Sequence, residues 1–402
     1  MRHIPGAWRR AARGASLLGS DGVPAPTIFA EMTGLAVRTG AINLGQGFPD
    51  EDGPQEVLEA AISAISAGAN QYAPGRGVPV LLDAIGAHQR RFRGIELDPQ
   101  REVLVTAGAT EALAATLLAL IDSPDDEVVV FEPYYDSYAA CIALAGARLV
   151  PVPLRYPDFQ PDLDELARAV TDRTRLILVN DPHNPTGAVF SSEVRAEVVR
   201  LAQRHDALIV TDEVYEHLVF DGRHEPIAAM PGAAERTLSI SSAGKTFSTT
   251  GWKIGWVTGP ADLIDAVLAV KQFLTYVNGT PFQHAIAVGL GFSDEFFAQA
   301  AATLRAKRDL LGDGLRAAGF TVSVAAGSYF TVADAAPFLE PGQDGADLCR
   351  ALPERVGVAA IPLTAFVSPD HRGQYASLVR FAACKRTEVI AEASARLATL
   401  GG

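Results

Sequence analysis

The feature that most constrains the fold of this 402-residue chain is an alternation, starting near Arg101, of short β-branched runs with longer helical patterns. Residues 102–106 read as a strand, and an Ala/Leu-rich helical stretch follows over 109–121. The strand signal then recurs at 127–132, 148–153, 175–180 and 207–212. Such alternation predicts a mostly parallel central sheet covered by helices, an α/β fold. Several of the runs are apolar on both faces, as burial between two helix layers requires. Chemistry in such folds gathers at the carboxyl ends of the strands. Thr106, Glu132, Asn180 and Asp212 stand at those ends.

The chain is too long for one compact core, and two or three domains are expected. After about Ser293 the texture changes to a long helical stretch, strongest over 305–318, and then to strand-like runs at 320–324 and 328–332. The expected division is a disordered extension over residues 1–25, an arm and part of a small domain over 26–55, a large domain over 56–293 and a small α/β domain over 294–402. No internal repeat or low-complexity linker is visible.

Composition excludes several classes of function. No apolar run approaches the roughly 20 residues needed to cross a bilayer. With 34 basic and 47 acidic side chains the net charge is -13, which repels nucleic-acid backbones and anionic lipid. Cys141, Cys349 and Cys384 lie far apart without a C-x-x-C pair, so neither a disulfide framework nor a metal site is indicated. A reducing cytoplasm fits that pattern. Arg2, Arg9, Arg10 and Arg13 precede the first acid, Asp21, as in an organellar transit peptide, but a plain disordered extension is the preferred reading.

Two phosphate-binding motifs are approached and missed. Gly244-Lys245-Thr246 would need a glycine at position 239 to form a phosphate loop, and Ser239 is there. Gly45-Gln46-Gly47 and Gly75-Arg76-Gly77 lack the third glycine of a dinucleotide fingerprint, having Asp50 and Val80 instead.

Six other markers occur in order across most of the chain: the run from Asn43 through Gly47 to Asp50, Asn70-Gln71-Tyr72, His183-Asn184-Pro185-Thr186-Gly187, Thr211-Asp212-Glu213-Val214-Tyr215, Ser242-Ala243-Gly244-Lys245 through Lys253, and Arg380-Phe381. In this set and order the sequence resembles the fold-type I, class I and II aminotransferases, which depend on pyridoxal phosphate. Glu132-Pro133-Tyr134-Tyr135-Asp136-Ser137-Tyr138 looks most like the kynurenine, glutamine and methionine aminotransferase group. Residues 28–32 and 352–362 resemble actinobacterial N-succinyldiaminopimelate aminotransferases, a step toward lysine.

The resemblance implies a role for each matched residue. Lys245 would condense with the cofactor aldehyde and later move a proton as a free amine. Asp212 would partner the pyridine nitrogen, and Tyr215 and Asn184 the ring oxygen. Tyr135 would stack on the ring. Gly108, Ala109 and Thr110 lie where a strand hands over to a helix, so their N–H groups suit a phosphate, with Ser242 and Lys253 completing the cup. Tyr72 would reach the phosphate of a neighbouring subunit, implying a homodimer with shared sites. Arg380 would grip the substrate carboxylate with its planar fork. Gly47 and Phe29 would line the substrate pocket, and Arg76 would meet a distal carboxylate such as a succinyl group.

The expected activity is transfer of an amino group from an L-amino acid to a 2-oxo acid, with N-succinyl-LL-diaminopimelate and 2-oxoglutarate or glutamate as candidates. A broad kynurenine-, methionine- or glutamine-type aminotransferase, a secondary-metabolite enzyme and a β-lyase share the cofactor residues. Residues 276–283 contain no arginine to hold a second carboxylate, so aspartate should be a poor donor.

Overall fold

A computed structural model describes residues 6–19 and 21–401; Arg2 lies outside them. The alternating runs form one seven-stranded sheet in the order Val103–Thr106, Gly255–Thr258, Thr237–Ser242, Leu208–Asp212, Thr174–Asn180, Glu127–Glu132 and Arg148–Pro153. Six strands share one direction and only Gly255–Thr258 opposes its neighbours. Apolar residues on both faces of these strands follow from helices on both sides of the sheet. Val128 and Val130 pack with the Gly108–Leu120 helix on one side, while Val129 and Phe131 pack with the Ser192–Arg204 helix on the other.

The pairing register brings the functional strand ends together. Asn180 lies opposite Asp212, and both Thr106 and Ser242 lie opposite Gly255. Two of the strands, Thr237–Ser242 and Gly255–Thr258, were not among those expected from the sequence. The run Thr237-Leu238-Ser239-Ile240-Ser241-Ser242 alternates like a strand with one wet face, yet Ser239 and Ser241 are buried. Their hydroxyls are satisfied internally, Ser239 by Thr211 and Glu213 and Ser241 by Glu216.

Beyond residue 293 a 25-residue helix, Asp294–Ala318, leads to a second sheet of four antiparallel strands. Its order is Ile361–Pro362, Leu378–Ala382, Phe330–Asp334 and Thr321–Val322, with Arg380 opposite Val332. The strand Ile42–Asn43 pairs in parallel with Val358–Ala359, and Arg350 bonds Glu31 at 2.8 Å. The N-terminal arm is thereby fastened to C-terminal elements.

The stretch expected to be a disordered extension contains a helix, Trp8–Gly14, lying against the Asp136–Ala145 helix. Small residues permit that approach: a Cβ on Gly14 would stand 2.5 Å from the Ala139 carbonyl oxygen and 2.6 Å from the Ala143 methyl. No helix among the described residues is long and apolar enough to cross a membrane.

Candidate active site

A cavity of about 320 Å³ opens at the carboxyl ends of the large sheet, between it and the smaller one. Every residue assigned to the site from the sequence lines it except Tyr72 and Arg76.

Lys245 occupies a one-turn helix, Ala243–Thr246, directly after a central strand. The Ser242 side chain caps that turn by accepting from the Gly244 N–H at 3.2 Å. Lys245 Nζ donates to the Gly47 carbonyl at 2.9 Å. Burial lowers the amine to about 8; Cys384 and Asp212 oppose the shift, and Arg380 and Lys253 add to it. A lysine near 8 is a neutral nucleophile in roughly a tenth of molecules at pH 7, hundreds of times more than a solvated one.

Asp212 ends the neighbouring strand. Burial raises its carboxyl, and the Tyr138 hydroxyl opposes that rise by donating to Oδ2 at 2.6 Å. Asn180 Nδ2 donates to the Asp212 carbonyl at 2.8 Å, and Asn180 Oδ1 accepts from the Asn184 N–H at 2.7 Å. These bonds order the turn that brings Asn184 to the cavity. The Tyr215 ring packs edge-on to Tyr329 at 5.3 Å, with Lys245 Nζ 5.9 Å from its centroid.

The first turn of the Gly108–Leu120 helix supplies N–H groups that no helical carbonyl can pair. Lys253 stands beside it: a Cβ on Gly108, which has φ +74°, would lie 3.3 Å from Lys253 Nζ. Lys253 itself holds a left-handed φ of 55°, a conformation costing roughly 1–2 kcal/mol for a non-glycine residue. Asn278 secures it by donating to the Lys253 carbonyl at 2.8 Å. A helix N-terminus, the Ser242 hydroxyl and an ammonium converge on one concave space, a donor set made for a phosphate.

Arg380 is buried on the middle strand of the small sheet. Nη1 donates to Asn184 Oδ1 at 3.0 Å and Nη2 to the Gly45 carbonyl at 2.6 Å, while Nε has no partner. No ion pair among the described residues includes it, and burial lowers it to about 10. Its guanidinium lies 4.1 Å from the Phe330 centroid, 4.6 Å from that of Phe366 and 5.5 Å from that of Phe29. A buried, unpaired, ring-walled cation is arranged to receive a carboxylate.

Two expected residues are elsewhere. Tyr72 is 83% exposed and packs against Tyr276, outside the cavity of its own chain. Arg76 also lies outside the cavity of its own chain, its guanidinium bonded to Asp265 and, at 3.2 Å, to the Arg101 carbonyl. Conversely, sequence reasoning gave no role to Tyr138, Phe330 or Tyr329. Tyr138 was within reach of it: it follows Tyr135 by three residues at a helix start, so both rings share one face.

His88, Glu216 and His217 place donor atoms within 4.8 Å of one another, the one cluster of metal-ligand type among the described residues. Its two Nε2 atoms and the Glu216 carboxylate are already engaged, while His88 Nδ1 is buried without a partner. The two Nε2 atoms bond each other at 2.7 Å, and Glu216 accepts from Ser241 and Arg93.

Residues 39–397 match the family of class I and II aminotransferases. The chain belongs to that family. A probable N-succinyldiaminopimelate aminotransferase of Mycobacterium tuberculosis is 52% identical over 386 residues, covering 94% of this chain and 96% of the relative. The methionine aminotransferase of Escherichia coli is 38% identical, over 93% of this chain and 96% of its own length. The solved structure of the N-succinyldiaminopimelate aminotransferase from M. tuberculosis superposes with a TM-score of 0.91 at 50% identity, covering 99% of this chain and 100% of that one. This aminotransferase is therefore a transaminase of fold type I, in a family that uses pyridoxal phosphate.

Proposed function

We propose that this aminotransferase binds pyridoxal phosphate at Lys245 and moves an amino group from an L-amino acid to a 2-oxo acid in a ping-pong cycle. The observation that supports this most directly is one cavity faced by a lysine lowered to about 8, a buried carboxylate, a helix N-terminus and an arginine without a counter-ion. When bound, pyridoxal phosphate supplies an aldehyde that condenses with amines and a ring that accepts electrons from the substrate Cα–H bond.

The protein's part is to bind, orient and move one proton. Gly108, Ala109, Thr110, Ser242 and Lys253 hold the phosphate. Asp212 faces the ring nitrogen and favours its protonated form by charge proximity. Tyr215 and Asn184 bond the ring oxygen, and Tyr135 covers the ring face. Arg380 takes the substrate carboxylate between Phe29 and Phe330, beside Gly47. The Lys245 amine, placed beside the Gly47 carbonyl, would take up and return the proton of the substrate Cα.

For the donor we assign N-succinyl-LL-diaminopimelate, with 2-oxoglutarate and glutamate as the exchanging pair. Identity of 52% to a protein of that description supports it. Broad methionine- or kynurenine-type specificity is a second reading, favoured by the aromatic walls and by the absence of a second arginine among the described residues lining the cavity. A donor panel followed through the cofactor absorbance decides between them. A kcat/KM for the succinylated donor at least tenfold above those for methionine and kynurenine supports the assignment, and the reverse order overturns it. Pyruvate or ammonia released without an oxo acceptor would make the enzyme a β-lyase.

The working unit we assign is a cytoplasmic homodimer, in which Tyr72 serves the partner's phosphate. Supporting the dimer, Tyr72, Phe273 and Ile62 are 83%, 84% and 63% exposed, leaving large apolar side chains open to a partner. Each subunit divides into a large part over 56–293 and a small part formed by 294–402 with the arm over 26–55.

A further inference from the structure

The helix carrying Lys245 is a single turn, Ala243–Thr246, with one backbone bond of α-helical spacing, Phe247 N–H to the Ala243 carbonyl at 2.9 Å. A helix that short does not hold itself, because nucleation fixes several residues for one hydrogen bond. Its position is therefore set from outside. One outside bond falls on Lys245 itself: the Tyr329 hydroxyl donates to the Lys245 carbonyl at 2.6 Å. Tyr329 is buried, its ring is 5.7 Å from Lys245 Nζ, and it walls a second cavity of about 370 Å³ on the far side of the lysine.

Its neighbour Phe330 starts the strand Phe330–Asp334 and faces the first cavity. Tyr329 stands in the bend just before that strand, and the two rings lie 6.2 Å apart with both packed on Tyr215, yet they reach different ends of the chemistry. The Phe330 ring lies under Arg380 and against Gly47, where a Cβ would stand 2.5 Å from the ring. Gly47 is the residue whose carbonyl holds Lys245 Nζ. The contacts form a closed circuit from Arg380 to Phe330, to Gly47, to Lys245, to Tyr329 and back along the chain to Phe330.

We propose that Tyr329 is a positioning residue for Lys245, and that the Tyr329-Phe330 pair links the grip of Arg380 on the substrate carboxylate to the placement of the Lys245 amine. The proposal rests on the reading of Lys245 and Arg380 given above. It goes further by assigning the coupling between them to a dipeptide of the small sheet.

Tyr329→Phe keeps the ring and removes the hydroxyl. In the full-length enzyme loaded with cofactor, kcat should fall about five- to tenfold, the scale of one lost hydrogen bond, with KM for the amino donor within about twofold. In the same chain stripped of cofactor, the pH midpoint for labelling Lys245 with an amine-selective reagent should rise from about 8 toward the ordinary lysine value, because a loosened turn lets water reach the amine. Phe330→Leu should raise KM about fivefold and, through the link to Tyr329 and Gly47, also raise the labelling midpoint of Lys245. A lower melting temperature for Tyr329→Phe with kcat and midpoint unchanged overturns the proposal, since the hydroxyl would then serve packing alone. A Phe330→Leu chain whose KM rises while the Lys245 labelling midpoint stays at the parent value overturns the coupling. Borohydride trapping of the cofactor on a lysine other than Lys245 in the unmodified enzyme would reject the underlying reading, and this proposal with it.

Discussion

Tyr138 donates its phenolic proton to Asp212 across 2.6 Å, and the pair is buried beneath the cavity. Asp212 feels Lys245 as an opposing cation and Glu213 as a neighbouring anion, with Tyr135 and Tyr215 also close. Burial lifts the Asp212 carboxyl and the Tyr138 bond restrains it, so Tyr138→Phe should raise it further. Ionised Asp212 is the form that holds a protonated ring nitrogen, so affinity for pyridoxal phosphate is present above the carboxyl's pKa and lost as pH falls through it. The variant should lose affinity at a higher pH than the parent, and bind about tenfold more weakly near neutrality, as expected for a hydrogen bond to a charged group. Fluorescence titration of the cofactor across pH reads both. Superimposable curves would show that the phenol does not tune Asp212.

Lys245 should carry the cofactor. Borohydride reduction and peptide mapping should place the phosphopyridoxyl group on its peptide. Because burial lowers the amine to about 8, capture of added pyridoxal phosphate by cofactor-free protein should accelerate about tenfold per pH unit below 8 and level off above it. A rate that keeps climbing to pH 10 contradicts the lowered value.

Arg380→Lys should keep the charge and lose the fork. A drop in kcat/KM of about two orders of magnitude is expected for every donor alike, because each presents the same α-carboxylate. A loss confined to acidic donors would move Arg380 from the α-carboxylate to a side-chain carboxylate.

Arg76→Ala should leave donor selectivity unchanged. Its guanidinium is paired with Asp265, which is 61% exposed, and such pairs contribute about 0–1 kcal/mol. The ratio of kcat/KM for succinylated and neutral donors should stay within about twofold of the parent value. A selective loss on the succinylated donor would mean that Arg76 works in the partner's cavity.

Inactive Tyr72→Phe and Lys245→Ala chains, unfolded together and reassembled, should recover part of the parent activity if each site borrows Tyr72 from its neighbour. No recovery, in a mixture shown to contain mixed dimers, removes Tyr72 from the site.

Much of this molecule was legible before its coordinates. The parallel strands and the placement of Asn180 and Asp212 followed from apolar runs that end in polar residues, because a two-sided sheet admits little else. Most of the residues that line the cavity followed from a resemblance, each at its own position. What escaped has a common physical cause. The strand Thr237–Ser242 was hidden because Ser239 and Ser241 alternate with apolar residues like a wet face, when buried glutamates from the segment after the neighbouring strand Leu208–Asp212 satisfy them. Arg76 was assigned by nearness to Tyr72 in sequence, whereas Asp265, 189 positions away, fixes its guanidinium. Tyr329 acts through a backbone carbonyl, a partner that has no residue type to recognise.

The Arg380 guanidinium has a consequence for handling the protein. It is a positive charge stored out of water, with two donors on neutral oxygens and a third on nothing. A small carboxylate of suitable shape can therefore pair with this guanidinium. Acetate, citrate or excess oxo acid in a storage buffer should raise the melting temperature and, by the same occupancy, slow the first turnover. Inhibition of this enzyme by its own oxo acids at high concentration would then be a property of the resting site.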